Sequence, residues 1–276
     1  MLKKSSTLLL LFLLITTVEL IGQITIAPTN LFIDSRSKFG TYLVLNGTNE
    51  PQEITIEFLF GYSDSDENGA RAIVYDNPEL EAVHSAADWV KAFPKTFVLS
   101  PGQRQVVRLR MAAPNNLDEG TYWSRIKTTA VPQSAPIELQ AGDAVSASVG
   151  IRLEQVTGLY YKVGDVGTGI EIGEMKTDVT NNTLKVVSDL KRTGNSPFLG
   201  TVTLVVKDGN GREVTSGFVS TTIFFDGAYA QDIDISSLNP GTYTVDIQFE
   251  SRRNDVSSDD LVQMSTISKS ASFNVN

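Results

Sequence analysis

From Ile24 onward apolar side chains recur at every second position, and that period confines the chain to extended strands. Stretches such as "ITIAPTNLFID", "EITIEFLFG", "QVVRLRMA" and "GTVTLVVKDGNG" alternate Val, Ile, Leu and Phe with polar residues. Gly, Pro, Asn and Asp cut these runs at short intervals, as turns require. No stretch sustains a 3.6-residue period. Many short strands with turns between them predict an all-β protein built from sandwiches or barrels.

The sequence "LDEGTYW", beginning at Leu117, is echoed by "LNPGTYT", beginning at Leu238. Each copy places a Tyr after a turn, at the entry to an alternating strand. That placement matches the tyrosine corner of immunoglobulin-like sandwiches, in which the phenol reaches back to an upstream backbone group. Gly120 and Gly241 permit the tight corner. The echo therefore predicts two immunoglobulin-like β-sandwich domains in tandem, with Tyr122 and Tyr243 at equivalent corners.

Ahead of the first strand, Lys3 and Lys4 precede an apolar run from Leu8 to Ile15. This is the pattern of a secretory signal peptide, and the run is shorter than the roughly 20 residues of a membrane span. We place the signal at residues 1–22, with no transmembrane segment after cleavage. The domains are then expected at 23–156 and 157–276. No Cys occurs, so the exported chain must be held by packing and not by disulfides. Its net charge is −9, and cleavage makes it more negative, because Lys3 and Lys4 outweigh Glu19. Nucleic acid and anionic lipid are accordingly discounted as partners.

Chemistry is sparse. His84 is the sole His, which removes most triad and zinc schemes. It is expected at the surface or hydrogen-bonded locally. Residues 64–69, "DSDENG", resemble the front half of a calcium loop, but Tyr75 stands where a bidentate carboxylate is needed, and a solvated acidic turn is expected instead. The glycines of "VGTG", 166–169, and "DGNG", 208–211, lack the strand-to-helix context of a phosphate cradle; the second is expected to turn a hairpin. Residues 63–92 are the least strand-like part of the first domain, and an elongated loop with a helical piece over 79–90 is expected there. Of the two indoles, Trp123 is expected to be packed or at a domain interface. No enzyme activity, metal or cofactor is expected.

Taken together, "ITIAPTNLFID", "FPKTFVLSPGQRQVVRLRM", "LDEGTYWSRIKTTAVP" and "VSASVGIRLEQV" occur in an order and spacing that resemble the N-terminal domain of periplasmic pilus chaperones of the chaperone-usher type. The resemblance covers residues 24–155. It implies a non-enzymatic periplasmic protein that binds secreted or pilus-type subunits by lending them a strand. The implied lending strand is 144–156, with Val145, Ala147, Val149, Ile151 and Leu153 on one face. The family also holds the subunit's terminal carboxylate with two cations. Arg152 matches one by position, and Asn30 stands where the other would align. The implied partner is a protein subunit or an extended peptide strand.

The second domain suggests an alternative. "VVKDGNGREV" followed by "DIDISSLNPGTYTVDI" is similar to C-terminal sorting domains of the type IX secretion system, which would make the chain a secreted or cell-surface structural or adhesive protein. The polar insertion at 251–265 departs from that pattern.

Overall fold

The computed structural model describes residues 23–133 and 151–275; the segment expected to be a signal peptide lies outside them. In chain order the first unit comprises β1 (Ile24–Ala27), β2 (Asn30–Asp34), β3 (Phe39–Asn46), β4 (Gln52–Leu59), β5 (Tyr62–Ser65), β6 (Arg71–Val74), helix α1 (Pro78–His84), a 3₁₀ turn (Ala87–Trp89), β7 (Val90–Phe93), β8 (Thr96–Leu99), β9 (Arg104–Met111), β10 (Gly120–Pro132) and β11 (Leu153–Val163). The second comprises β12 (Thr168–Thr180), β13 (Thr183–Gly194), β14 (Phe198–Lys207), β15 (Glu213–Ile223), β16 (Gly227–Asp234), β17 (Gly241–Glu250) and β18 (Ile267–Val275).

In the first unit, a sheet ordered β1-β3-β9-β7 faces one ordered β2-β11-β10-β4-β8. Inward residues of both, among them Tyr42, Val44, Ile54, Ile56, Leu109, Ile126 and Leu159, form a single core. Burying each such side chain contributes on the order of 1.5–3 kcal/mol. The second unit packs β12-β13-β16 against β15-β14-β17-β18. Its separate core includes Leu184, Val186, Phe198, Leu204, Ile247 and Phe249. The architecture is thus all-β, two immunoglobulin-like sandwiches in tandem.

Both echoed tyrosines sit at corners of the same construction. Tyr122 Oη donates to the Asp118 carbonyl at 3.2 Å, and Tyr243 Oη to the Asn239 carbonyl at 3.0 Å. Each bond reaches four residues back. The preceding glycines match too, with φ of 157° at Gly120 and 159° at Gly241.

The expected domain boundary at 156/157 falls inside β11, which pairs with β10 along its whole length. Sheet membership changes over residues 164–167. The stretch 159–161 misled the periodicity because it is apolar on both faces: Leu159 and Tyr161 enter the first core, while Tyr160 joins a separate cluster between the units.

Residues 63–92 are more ordered than the expected loop. β5 and β6 form a hairpin there, and α1 ends at His84, short of the expected 90. Asn77 caps the helix by accepting from Leu80 N at 3.1 Å. The acidic turn of this hairpin closes on itself, Asp66 Oδ1 accepting from Asn68 N and Ala70 N. Among the described residues, no group of His, Cys, Asp or Glu is arranged to hold a metal, and no helix is long and apolar enough to cross a membrane. The hairpin expected at 208–211 joins β14 to β15, with Asp208 Oδ1 accepting from Asn210 N and Arg212 N.

Candidate functional site

β11 has two unlike halves. From Gly158 to Lys162 it is flanked by β10 on one side and by parallel β2 on the other. Over residues 153–157 it pairs, among the described residues, with β10 alone, since the preceding strand β1 belongs to the opposite sheet. The direction of the main-chain groups on this open half follows from one bond. Gly158 N donates to the Thr29 carbonyl at 3.0 Å, so N–H and C=O of even-numbered β11 residues point away from β10. Lys162 obeys the same parity, its carbonyl accepting from Ser35 N at 2.8 Å. Glu154 and Val156 therefore present main-chain donors and acceptors along an edge with no strand beside it among the described residues. A side chain approaches nearby, Gln155 Nε2 donating to the Ile24 carbonyl at 3.1 Å.

The side chains of this half are exposed as well. Leu153 is 36% accessible and Val156 is 44% accessible, whereas Leu159 and Tyr161 on the same strand are buried. Ile151, just upstream, is 75% accessible. Among the expected partner-binding residues, Val145, Ala147 and Val149 lie outside the described residues. By parity Ile151 and Leu153 belong to the face that further along enters the first core.

Arg152 and Asn30 are not brought together. Asn30 is opposite Gly158, six positions along the strand from Arg152, which corresponds to roughly 20 Å. Arg152 is exposed and donates to the neighbouring Glu154 carboxylate, Nε to Oε1 at 2.9 Å. Such a pair is worth under about 1 kcal/mol. Asn30 Nδ2 instead donates to Asp255 Oδ2 of the second unit at 3.0 Å, and Gly158 leaves the space it needs: a Cβ there would lie 2.9 Å from Asn30 Oδ1. The cation on β11 that reaches the second unit is Lys162, whose Nζ donates to the Asp260 carbonyl at 3.1 Å and sits 5.5 Å from the Phe32 ring centre. Its alternation with Tyr160 on the strand was the available signal.

The seam between the units is a third apolar cluster. Phe60, Tyr62, Trp123 and Tyr160 of the first unit pack with Leu199, Phe224 and Leu261 of the second. Trp123 lies 4.9 Å from Phe224, as expected for an interface indole. His84, expected at the surface or hydrogen-bonded locally, is half-buried and stacks on Trp123 at 4.8 Å and 17°. Burial first, and the nearby Arg192 charge second, push its pKa below the ordinary His value. A cavity of about 290 Å³ remains beside them, lined by His84, Glu119, Trp123, Arg192 and Asn195 among others.

Segments cross this seam in both directions. The β5–β6 hairpin reaches over to the second unit, where Arg71 donates to Thr221 Oγ1 and to the Thr222 carbonyl. Its turn glycine, Gly69, has φ of +75° and rests against Ala230, so a Cβ would sit 2.5 Å from Ala230 N. In return, residues 251–265 reach back: Leu261 and Val256 enter the seam cluster, and Asp255 accepts from Thr29 Oγ1 and Asn30 Nδ2. The Arg253 guanidinium, 2.7 Å away, holds the Asp255 carboxyl below its usual range. The polar insertion is thus a latch, hidden in sequence because its apolar contacts are two isolated residues.

No protein-family model matches the chain, and no curated protein does. Among solved structures it is similar to the E. coli chaperone DraB, at 14% identity and a TM-score of 0.40, over 92% of this chain and 98% of that one. It is also similar to the YadV chaperone, at 10% identity and a TM-score of 0.43, over 91% and 99%. A third is the Salmonella enterica SafA pilin in complex with the SafB chaperone, at 14% identity and a TM-score of 0.41, over 90% and 95%.

Proposed function

We propose that this chain is a non-enzymatic, chaperone-like protein of the periplasm that binds secreted or pilus-type subunits by strand addition along the open half of β11. The observation that carries the reading is the edge at Glu154 and Val156, unpaired among the described residues. An extended segment laid beside it gains main-chain hydrogen bonds at alternate residues, each worth about 1 kcal/mol net. The alternating run at 144–152, read from sequence, would lengthen that edge. The signal-like N-terminus supports the location, and the resemblance of residues 24–155 supports the class of client. With Asn30 tied to Asp255, capture of a client's terminal carboxylate by an Asn30 and Arg152 pair forms no part of the proposal.

Val156→Pro tests it cleanly. Proline removes the outward N–H of residue 156 without removing a ladder bond to β10. Binding of a labelled peptide of alternating apolar residues, followed by fluorescence anisotropy, is expected to weaken at least tenfold while the melting temperature stays within a few degrees. Unchanged affinity in a folded Val156→Pro protein would remove the strand-addition reading and leave a structural role for the pair of sandwiches.

A further inference from the structure

The sheet opposite β11 carries a second surface. On β9 the outward residues are Arg104, Val106, Arg108 and Arg110, all exposed. β3 sets Leu45, Leu43, Thr41 and Phe39 opposite them in that order. On the other flank β7 sets Phe93 opposite Arg108 and Lys91 opposite Arg110. Four cations therefore share one sheet face, and β1, β3, β7 and β9 contain no carboxylate. None of the four cations is in an ion pair among the described residues. This concentration stands on a chain of net charge −9, so the face opposes the field of its own protein.

The flanks define what fits. Phe39 is 62% accessible and Phe93 is 59% accessible, and they stand on the two strands bordering β9. Between them runs a lane about 10 Å wide, twice the spacing of neighbouring strands. A surface depression at Phe39, Gly40, Thr41 and Arg108 continues it. A lane of that width takes one linear chain and not a membrane plane. Arg108 and Arg110 are two residues apart, about 6.8 Å, which is the repeat of carboxylates at alternate positions of an extended peptide. Guanidinium forks suit carboxylates in bidentate geometry. Val106, 49% accessible, interrupts the cations with an apolar contact that a peptide satisfies and a uniformly charged polymer does not.

We propose that the outer face of the β1-β3-β9-β7 sheet, centred on Arg108 and Arg110 and walled by Phe39 and Phe93, binds an extended acidic polypeptide segment with carboxylates at alternate positions. The site is independent of strand addition at β11.

The test is anisotropy of a labelled peptide of alternating Glu and Ser, which lacks the apolar alternation taken up at β11, against the full chain. Saturable binding is expected, weakening as salt rises because exposed pairs are screened. Arg108→Ser and Arg110→Ser should each cost roughly two- to fivefold, the loss expected for one exposed ion pair. Arg108→Glu with Arg110→Glu should abolish binding, whereas Lys185→Glu with Lys191→Glu, the same charge change on the second unit, and Val156→Pro should not affect it. All variants are checked by circular dichroism. Absence of saturable binding, or equal loss with the Lys185 and Lys191 pair, overturns the proposal. So does preferential binding of phosphatidylglycerol vesicles or heparin that the Arg108 and Arg110 reversal removes, which would assign the face to lipid or glycan.

Discussion

The two halves of β11 share one strand and one partner in β10, yet they meet opposite fates. Beyond Gly158 the strand is enclosed by β2, the first core and the seam, and its side chains are buried on both faces. Before Gly158 the same strand keeps one neighbour among the described residues and exposes Leu153 and Val156. The difference originates in β1 and β2, because the chain pairs first with β3 and only after Pro28 and Thr29 with β11. Folded proteins usually blunt such edges, and this contrast along one strand is what the proposed strand addition rests on.

The contrast is broken most severely by truncating its sealed side. Leu159→Ala should destabilise the first unit by about 2–5 kcal/mol, while Leu153→Ala should cost under about 1 kcal/mol. Thermal or urea denaturation of the pair reads the difference, and equal costs would show that both halves are packed alike. Next in size, Gly69→Ala adds a methyl where φ is positive and Ala230 is in the way. A loss of roughly 1–3 kcal/mol is expected, with faster hydrogen exchange in β5 and β6. Smaller again, Asp255→Ala removes the acceptor of Thr29 and Asn30 and should cost about 0.5–1.5 kcal/mol, raising exchange at residues 158–162 and leaving 153–157 unchanged.

The smallest effect is a pH dependence of the seam. The His84 pKa is lowered in the folded protein, so acidification protonates the unfolded chain first. Its contribution is complete above about pH 6.5 and is lost as pH falls through the folded pKa. The melting temperature should therefore decline modestly from pH 7.5 to 5.5, and His84→Gln should flatten that slope. Asp255 acts lower, below about pH 4, also losing its contribution on acidification because its folded pKa is depressed.

Much of the fold was legible because strand periodicity and two corner tyrosines are local signals. The alternation at 53–59 or 104–111 follows directly from one buried and one exposed face. The seam was not legible, since Trp123, Phe224 and Leu261 come together only through tertiary packing. Arg152 looked like a site residue by its place in a motif, but position along a strand does not reveal which side chains the register sets side by side. The cationic face was hidden for a different reason: net charge averages over surfaces, whereas Arg104, Arg108 and Arg110 gather on one.

The exchange of segments across the seam has a mechanical consequence. With a hairpin anchored by Arg71 in one direction and a strap anchored by Asp255 in the other, swivelling of either sandwich must rupture contacts belonging to both. A tug on the bare rim of β11 is therefore shared by the entire body, which answers it as a stiff bracket and not as two beads on a string.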